Sequence, residues 1–146
     1  MTAVSRQALV PYSPAQIYAL INDVAAYPEF LPWCEAARVL AAGEDEIVAE
    51  VTFAKGMARA SFTTRNRLQK DKMVEMQLVN GPFRHLHGFW RLTPLGDDGQ
   101  GCRINLDLEF ELKNALLSAT LGPVFNHIAN SLVDAFVSRA RAVYGD

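Results

Sequence analysis

Residues 102–112 read CRINLDLEFEL, and apolar and polar side chains alternate through the whole stretch. The even-numbered positions, from Cys102 to Leu112, are apolar, whereas the odd-numbered positions, from Arg103 to Glu111, are polar or charged. Successive side chains of a β-strand point to opposite faces, so this pattern predicts a strand with one buried face and one solvated face. Such a strand is typical of an antiparallel sheet whose apolar face needs a cover.

The same two-residue period extends toward the N-terminus. It is clear in most of the segments and weak over 35–42, and stretches rich in Gly, Asp and Glu at 43–46 and 96–101 predict turns between strands. The pattern predicts six further strands, at 3–10, 35–42, 47–53, 58–69, 73–80 and 86–93.

Two segments have a helical period instead. Ser13 precedes Pro14, which predicts a capped helix over 14–22. A stripe of apolar residues at helical spacing then predicts a long amphipathic helix, which Pro123 should kink or restart near residue 122. The stripe consists of Leu117, Leu121, Phe125, Ile128, Leu132, Phe136, Ala140 and Val143. The predicted fold class is α+β, with a curved antiparallel sheet of six or seven strands wrapped on the C-terminal helix.

Length and composition fit one domain over residues 1–146, with half of the residues hydrophobic and 21% charged. No apolar run reaches the roughly 18 residues of a membrane span, and no secretion signal is visible at the N-terminus. We therefore expect a cytoplasmic protein, peripheral at the inner membrane if it meets one, with Cys34 and Cys102 as reduced, buried thiols. The net charge is −2, yet residues 55–91 carry eight Lys and Arg against Asp71 and Glu75.

The predicted inner face of the sheet holds no Asp, Glu, His, Lys or Arg. Its polar members are Thr64, Asn66 and Asn80, together with Cys102. General acid–base catalysis needs a titratable group in the pocket, so this pattern argues against an enzyme, although a strand bulge could change the phase. An apolar interior with a few fixed polar groups suits a hydrophobic ligand, and an ordinary packed core is the alternative.

Residues 27–34 read YPEFLPWC, with three aromatic residues and two prolines in eight positions. The segment is too short and too rich in proline for a regular helix or strand. We predict an irregular apolar lid over the mouth of a cavity, able to make transient contact with a membrane. The alternative is a small core that plugs the end of the sheet.

Four stretches of the chain resemble one known family. They are VPYSPAQIYALINDVAAYPEFLPWC, FTTRNRL, LVNGPFRHLHGFWRLTPL and VDAFVSRARAVYGD. They are similar to the coenzyme Q-binding branch of the START-like, polyketide-cyclase-type domains, whose bacterial members are often named ribosome association toxins. The matching motif residues are Tyr27, Pro28, Phe30, Leu31, Pro32, Cys34, Asn80, Gly81, Pro82, Phe83, Gly88 and Trp90.

The resemblance implies a helix-grip fold that binds ubiquinone or a similar polyprenyl lipid in a tunnel, with no catalytic residues and no cofactor beyond the bound quinone. We predict the ligand-binding residues Tyr27, Phe30, Leu31, Trp33, Phe62, Thr64, Asn66, Asn80, Phe83, Trp90, Leu106, Leu108, Leu121, Phe125, Ile128 and Leu132. Phe83 is expected at the rim of the cavity, beside the lid.

Two alternative functions stay open. The resemblance also implies binding of the large ribosomal subunit and a block of subunit joining. If their strands are neighbours, the outward side chains of Arg59, Arg65, Arg67, His87 and Arg91 would form a basic patch for it. The alternative is an ordinary solvated face whose charge is balanced by Glu75, Asp107 and Glu109. A polyketide cyclase or dehydratase is the other, by analogy of fold alone. We predict no metal site, because His85, His87 and Cys34 lack a further ligand at a recognisable spacing, and we predict no DNA binding.

Overall fold

The computed structural model describes residues 1–145. In this range the strands are β1 (Thr2–Val10), β2 (Cys34–Ala42), β3 (Glu46–Lys55), β4 (Ala58–Gln69), β5 (Met73–Asn80), β6 (Phe83–Leu95) and β7 (Gly101–Leu112). The helices are α1 (Pro14–Asn22), a 3-10 helix (Val24–Glu29) and α2 (Ala115–Tyr144).

All of the described strands join one antiparallel sheet in the order β1-β7-β6-β5-β4-β3-β2. Strands that follow one another in sequence are neighbours, except that β1 closes onto β7. The helix α2 packs along the inner face, where its residues Leu121, Phe125 and Ile128 are buried. The predicted α+β fold, with a seven-stranded sheet gripping the C-terminal helix, is confirmed.

The start of α1 follows the predicted capping. The Ser13 hydroxyl accepts from the Gln16 backbone N–H at 3.2 Å, and the Gln16 side chain accepts from the Ser13 N–H at 2.8 Å. These reciprocal bonds satisfy two donors that the first helical turn would otherwise leave free. Ile17, Leu20 and Ile21 bury the opposite side of the helix.

Two local predictions are wrong in part. The lid segment 27–34 is irregular only over 30–33, because Tyr27, Pro28 and Glu29 end the 3-10 helix and Cys34 begins β2. A restart of α2 at Pro123 is also wrong, because the helix runs through this residue, whereas the kink stays a prediction. Leu121 and Phe125 are buried on either side of Pro123, and we attribute the continuity to this packing, which offsets one missing backbone hydrogen bond.

The core has two parts that meet in the middle of the sheet. The first is a group of aromatic rings around Phe125, whose centroid lies 4.7–5.8 Å from the centroids of Phe53, Phe62, Phe83 and Phe110. The second part is largely aliphatic and includes the fully buried Ile17, Ile104 and Leu106, together with Trp90 and Phe136.

None of the helices in residues 1–145 combines the length and the apolarity needed to cross a bilayer.

Candidate ligand-binding site

A cavity of about 80 Å³ lies where the two parts of the core meet. The sheet, α2 and the lid region all contribute to its wall. Of the predicted ligand-binding residues, those that line it are Tyr27, Trp33, Phe62, Thr64, Asn66, Trp90, Leu108, Phe125, Ile128 and Leu132. These side chains come from distant parts of the sequence, so only the folded sheet and helix bring them together.

The other predicted ligand-binding residues lie away from this wall. Phe83 was expected at the rim, but only 1% of it is exposed, because it packs into the aromatic group beside Phe62 and Phe125. The remaining residues of this kind, other than Asn80, are buried or half-buried in the surrounding core: Phe30, Leu31, Leu106 and Leu121.

The prediction that Asn80 points inward is wrong, since Asn80 is exposed at the end of β5. The β4–β5 ladder pairs Thr64 with Leu78 and then Thr63 with Asn80, so Val79 is an extra residue in β5. A bulge of this kind shifts the alternation by one position. Asn80 therefore opposes Thr63, where unbroken alternation would have placed it opposite Phe62.

The remaining lining residues were not among the predicted ones: Val24, Ala49, Val51, Met76, Leu86 and Phe136. Most of them lie on strand faces or on the helix stripe that the sequence pattern assigns to the interior. The sequence pattern therefore predicts that these side chains point inward, but it does not predict that they lie next to the cavity. Val24 is the exception, because the 3-10 helix that carries it has no pattern of its own in the sequence.

Thr64 and Asn66 place a polar pair in this apolar wall. The Thr64 hydroxyl donates to Asn66 Oδ1 at 2.9 Å, and both residues are more than nine-tenths buried. Neighbouring inward positions of one strand lie on the same face, which is why residues 64 and 66 meet. No Asp, Glu, His, Lys or Arg appears in the cavity wall as described over residues 1–145.

Tyr27 contributes a phenolic hydroxyl to the cavity wall, and this hydroxyl donates a hydrogen bond to the backbone carbonyl of Ile21. Burial, with a smaller contribution from the charges of Cys34 and Asp23, raises the pKa of Tyr27 above its ordinary value. Burial also raises the pKa of the Cys34 thiol to about 11 and that of Cys102 to about 11. These groups are neutral at neutral pH, so none is prepared to act as a base or nucleophile.

Arg139 holds the lid against α2. Its guanidinium lies 5.0 Å from the ring centroid of Phe30, and its Nη2 lies 3.4 Å from Glu29 Oε1. Phe30 in turn packs edge-on against Phe136 at 5.2 Å and Tyr27 at 6.0 Å, and both of these line the cavity. Within the described residues, the buried Nε of Arg139 has no hydrogen-bond partner.

In this closed arrangement the lid does not offer its large apolar side chains to a membrane. Leu31 and Trp33 are buried, and the exposed residues of the segment are Pro28, Glu29 and Pro32. The predicted membrane contact through 27–34 depends on opening of the lid, so it stays a prediction.

The chain is similar in sequence to a known protein family. The model of the family described as "Polyketide cyclase / dehydrase and lipid transport" matches residues 10–137. The chain belongs to this family. The resemblance that the sequence motifs carry is thus confirmed, and the cavity between the sheet and α2 is found in a domain of the class that the motifs predict.

Individual proteins are similar to the chain in sequence or in structure. The chain is 49% identical over 144 residues to the ribosome association toxin RatA of Pseudomonas aeruginosa, with 99% of each chain covered. It is 26% identical over 143 residues to the mitochondrial coenzyme Q-binding protein COQ10 homolog B of Xenopus laevis, covering 97% of this chain and 59% of that one. The solution structure of the 18 kDa protein CC1736 from Caulobacter crescentus superposes with a TM-score of 0.76 at 32% identity and full coverage of both chains.

The predicted basic patch is not continuous. Strand β5 separates β4 from β6, and the β4–β5 ladder sets Glu75 opposite Arg67. The other arginines of the patch each have a carboxylate partner: Arg59 with Glu35 at 2.5 Å, Arg65 with Glu46 at 3.3 Å and Arg91 with Asp107 at 3.4 Å. The outer face is therefore closer to neutral than a count of its arginines suggests.

The two histidines of β6, His85 and His87, also have carboxylate partners on this outer face. His85 Nε2 lies 3.1 Å from Glu109 and His87 Nε2 lies 2.8 Å from Glu75, whereas Cys34 is buried. Residues 1–145 contain no group of three or more His, Cys, Asp or Glu placed to hold a metal ion.

Proposed function

We propose that this chain binds a hydrophobic ligand with a polar head, ubiquinone or a similar polyprenyl lipid, and that it does not act on the ligand chemically. The observation that carries this proposal is the apolar cavity with one buried polar pair, Thr64 and Asn66. The relative named as a coenzyme Q-binding protein supports the choice of ligand. Such a protein would support quinone function in respiration, from the cytoplasm and with transient contact to the inner membrane.

The polar pair would orient the head of the ligand. Because Asn66 Oδ1 accepts from Thr64, the amide is held in place and its Nδ2 group is left as a donor for a ligand carbonyl. A quinone ring offers two such carbonyl oxygens and a flat apolar body, which the rings of Trp90 and Phe125 could contact.

The cavity must expand before a ligand of this size can enter. Pockets for small molecules usually measure roughly 300–1,000 Å³, several times the volume present here. Arg139 fastens the segment 27–34 to α2 through Glu29 and Phe30. We infer that the lid moves away from Phe136 when the ligand enters.

The proposal is tested by identifying what copurifies with the chain and by titrating it with a short-chain ubiquinone in detergent. Trp33 and Trp90 line the cavity, so their fluorescence should be quenched on binding. The double variant Thr64→Val with Asn66→Leu should weaken quinone affinity by about tenfold, because it removes hydrogen bonds to the carbonyls. It should leave the affinity for a polyprenol without a quinone head nearly unchanged.

A filled cavity supplies the complementary control. Ala49 lines the wall, so Ala49→Phe should abolish quenching while the fold is retained, as monitored by circular dichroism. An equal substitution at the exposed Ala41, outside the cavity, should have no effect on binding. The absence of any lipid in the purified protein, together with no quenching by quinone, would refute the proposed ligand class.

A cyclase or dehydratase function lacks support in this cavity. That chemistry needs a positioned acid or base, and Tyr27 already donates its proton to the Ile21 carbonyl. The cyclase alternative is tested in the same titration, by searching for turnover of a polyketide mimic.

Ribosome association is the second candidate, and the relative named as a ribosome association toxin favours it at 49% identity. We propose that the chain binds the large ribosomal subunit and hinders subunit joining. Co-sedimentation with purified large subunits should then fall steeply as salt rises. The outer-face variant that replaces Arg59, Arg65, Arg67 and Arg91 with Gln tests the predicted contact residues. If binding is unchanged in that variant, a different surface contacts the ribosome.

A further inference from the structure

One end of the sheet gathers several turns that the cavity does not explain. The β3–β4 turn, the β5–β6 turn and the β7–α2 connection all lie there, because antiparallel strands place alternate turns at the same end. The last two are joined directly. The Lys113 N–H donates to the Pro82 carbonyl at 2.9 Å, and Arg84 donates to the Lys113 carbonyl at 2.9 Å.

Two apolar side chains at this end are exposed to solvent, Met57 in the β3–β4 turn and Leu116 in the first turn of α2. Met57 is fully exposed, and Leu116 is 73% exposed. Met57 follows Gly56, whose φ of +62° suits the first central position of a two-residue hairpin turn between the paired Lys55 and Ala58. We call Lys55, Met57, Lys113 and Leu116 the tip surface.

The tip surface is positively charged. Residues 1–145 supply no ion-pair partner for Lys55 or Lys113. The N-terminus of α2 adds a positive helix-dipole end here, and its first turn contains no acidic residue. At the opposite end of the sheet, by contrast, acidic side chains outnumber basic ones in the turns: Glu44, Asp45, Asp71, Asp97 and Asp98 against Lys70 and Lys72.

We propose that the tip surface docks the protein onto an anionic lipid bilayer, with Met57 and Leu116 entering the interface and Lys55 and Lys113 facing the headgroups. Exposed apolar side chains at the same end of the sheet as unpaired lysines suit a membrane boundary, where both kinds of group gain free energy. Single-stranded RNA is a poorer match, since its unpaired bases stack on aromatic side chains and none of the four tip-surface residues is aromatic.

The proposal rests on the proposed function, because a bilayer would be the source of the lipid ligand. The tip surface and the cavity are linked by the aromatic group around Phe125. Phe62 and Phe125 line the cavity, and the same rings contact Phe53 and Phe83. Docking at this end would therefore place the bilayer next to the aromatic wall of the cavity.

Vesicle flotation tests the docking separately from ligand binding. The probes are quinone-free vesicles of phosphatidylcholine alone and of phosphatidylcholine mixed with phosphatidylglycerol. The full chain should bind the anionic vesicles at least about tenfold more strongly, and binding should weaken as salt rises. No preference for the anionic vesicles would overturn the proposal.

Matched variants locate the contact. Met57→Asp with Leu116→Asp should lower binding to anionic vesicles by about tenfold or more, and Lys55→Gln with Lys113→Gln should remove most of its salt dependence. Leu9 is 66% exposed at the opposite end of β1, so Leu9→Asp is a control that should change neither. An equal loss in the Leu9 variant, or none in the Met57 and Leu116 variant, would contradict the assignment.

A reporter gives a direct reading of insertion. Met57→Trp should show a blue-shifted emission with anionic vesicles, beyond any change in the wild type, whose Trp33 and Trp90 are buried. Emission unchanged by vesicles, or a shift produced instead by naked ribosomal RNA, would overturn the lipid assignment. The Met57→Asp, Leu116→Asp variant should still bind quinone in detergent, because neither side chain lines the cavity. Loss of quinone binding together with vesicle binding would contradict a docking surface separate from the ligand site.

Discussion

The two faces of the same sheet differ in how they are stabilised. On the inner face of β7, Cys102, Ile104 and Leu106 have no exposed surface, and the strand beside it adds Trp90. On the outer face arginines form ion pairs whose side chains remain 30–69% exposed. The alternation that defines the strands thus separates burial, which provides most of the stability and the candidate ligand site, from surface charge, which provides little of either.

The largest expected loss of stability comes from removing an aromatic ring from the inner face. Phe53 is fully buried on β3, with ring centroids 5.9 Å from Phe62 and 5.8 Å from Phe125. Phe53→Ala should lower the free energy of unfolding by about 3–5 kcal/mol, because it loses buried apolar surface and leaves a cavity. Denaturant unfolding followed by circular dichroism measures the change.

The adjacent position on the outer face is the matched control. The Thr52 hydroxyl shares a 2.6 Å hydrogen bond with Ser61 in an exposed setting, so Thr52→Ala should cost less than about 1 kcal/mol. Similar losses in the Phe53 and Thr52 variants would show that the two faces contribute equally, contrary to the comparison.

A smaller effect should appear at alkaline pH, where the two buried thiols, Cys34 and Cys102, begin to lose their protons. The pKa values of Cys34 and Cys102 are raised to about 11, so the folded state holds these protons more tightly than the unfolded chain. Their stabilising contribution is complete below the unfolded value near 9 and is lost as pH rises toward the folded value. We expect a loss of about 2 kcal/mol per thiol between about pH 8.5 and pH 10.5.

Unfolding measured at those two pH values in the wild type and in the Cys34→Ala, Cys102→Ala double variant isolates the thiols. Tyr27 has a raised pKa too and contributes in the same direction, so some dependence on pH should remain in the variant. If the variant loses as much stability as the wild type over this range, the thiols are not its source.

Gly88 tests how closely the inner face is packed. A Cβ built at Gly88 would lie 2.7 Å from the Asp107 carbonyl oxygen and 2.7 Å from Leu108 Cδ1, closer than real contacts allow. Gly88→Ala should therefore cost about 1–3 kcal/mol, since the β6–β7 ladder must shift. Gly43, where the nearest atom would be 3.7 Å away, is the control, and its alanine variant should be nearly neutral. Equal effects at the two positions would contradict the close approach.

The sequence predicts the inner and outer faces well because the period of a strand is set by local geometry. All seven strands and the inward position of Thr64 and Asn66 follow from this period, and both regular helices follow from the helical period. The strand period fails at Asn80, since the bulge at Val79 is a feature of pairing with β4 that strand 73–80 does not show by itself.

Two further properties depend on distances between elements rather than on phase. The pattern identifies which side chains face α2, but the volume left between them depends on how far the helix lies from the sheet. The basic patch likewise depended on strand order, and β5 brings Glu75 between the arginines of β4 and β6. The 3-10 helix was missed because Pro28 argues locally against any helix.

The smallest effect is expected on the outer face, at the pair formed by Arg65 and Glu46. Their closest atoms are 3.3 Å apart, and the side chains remain 48% and 46% exposed. Water and salt screen such a pair, and holding two long side chains in place costs conformational entropy. Arg65→Gln should thus change the free energy of unfolding by less than about 1 kcal/mol.

A double-mutant cycle with Glu46→Gln separates the pair from its surroundings, and the coupling should shrink further at high salt. A coupling above about 2 kcal/mol that persists in salt would mean that this outer-face pair behaves like a buried one. In that case the arginines of β4 would contribute to the stability of the sheet, and they would be poor candidates for release to a ribosomal phosphate. A coupling near zero leaves Arg65 free to exchange its carboxylate for such a partner at little cost in stability.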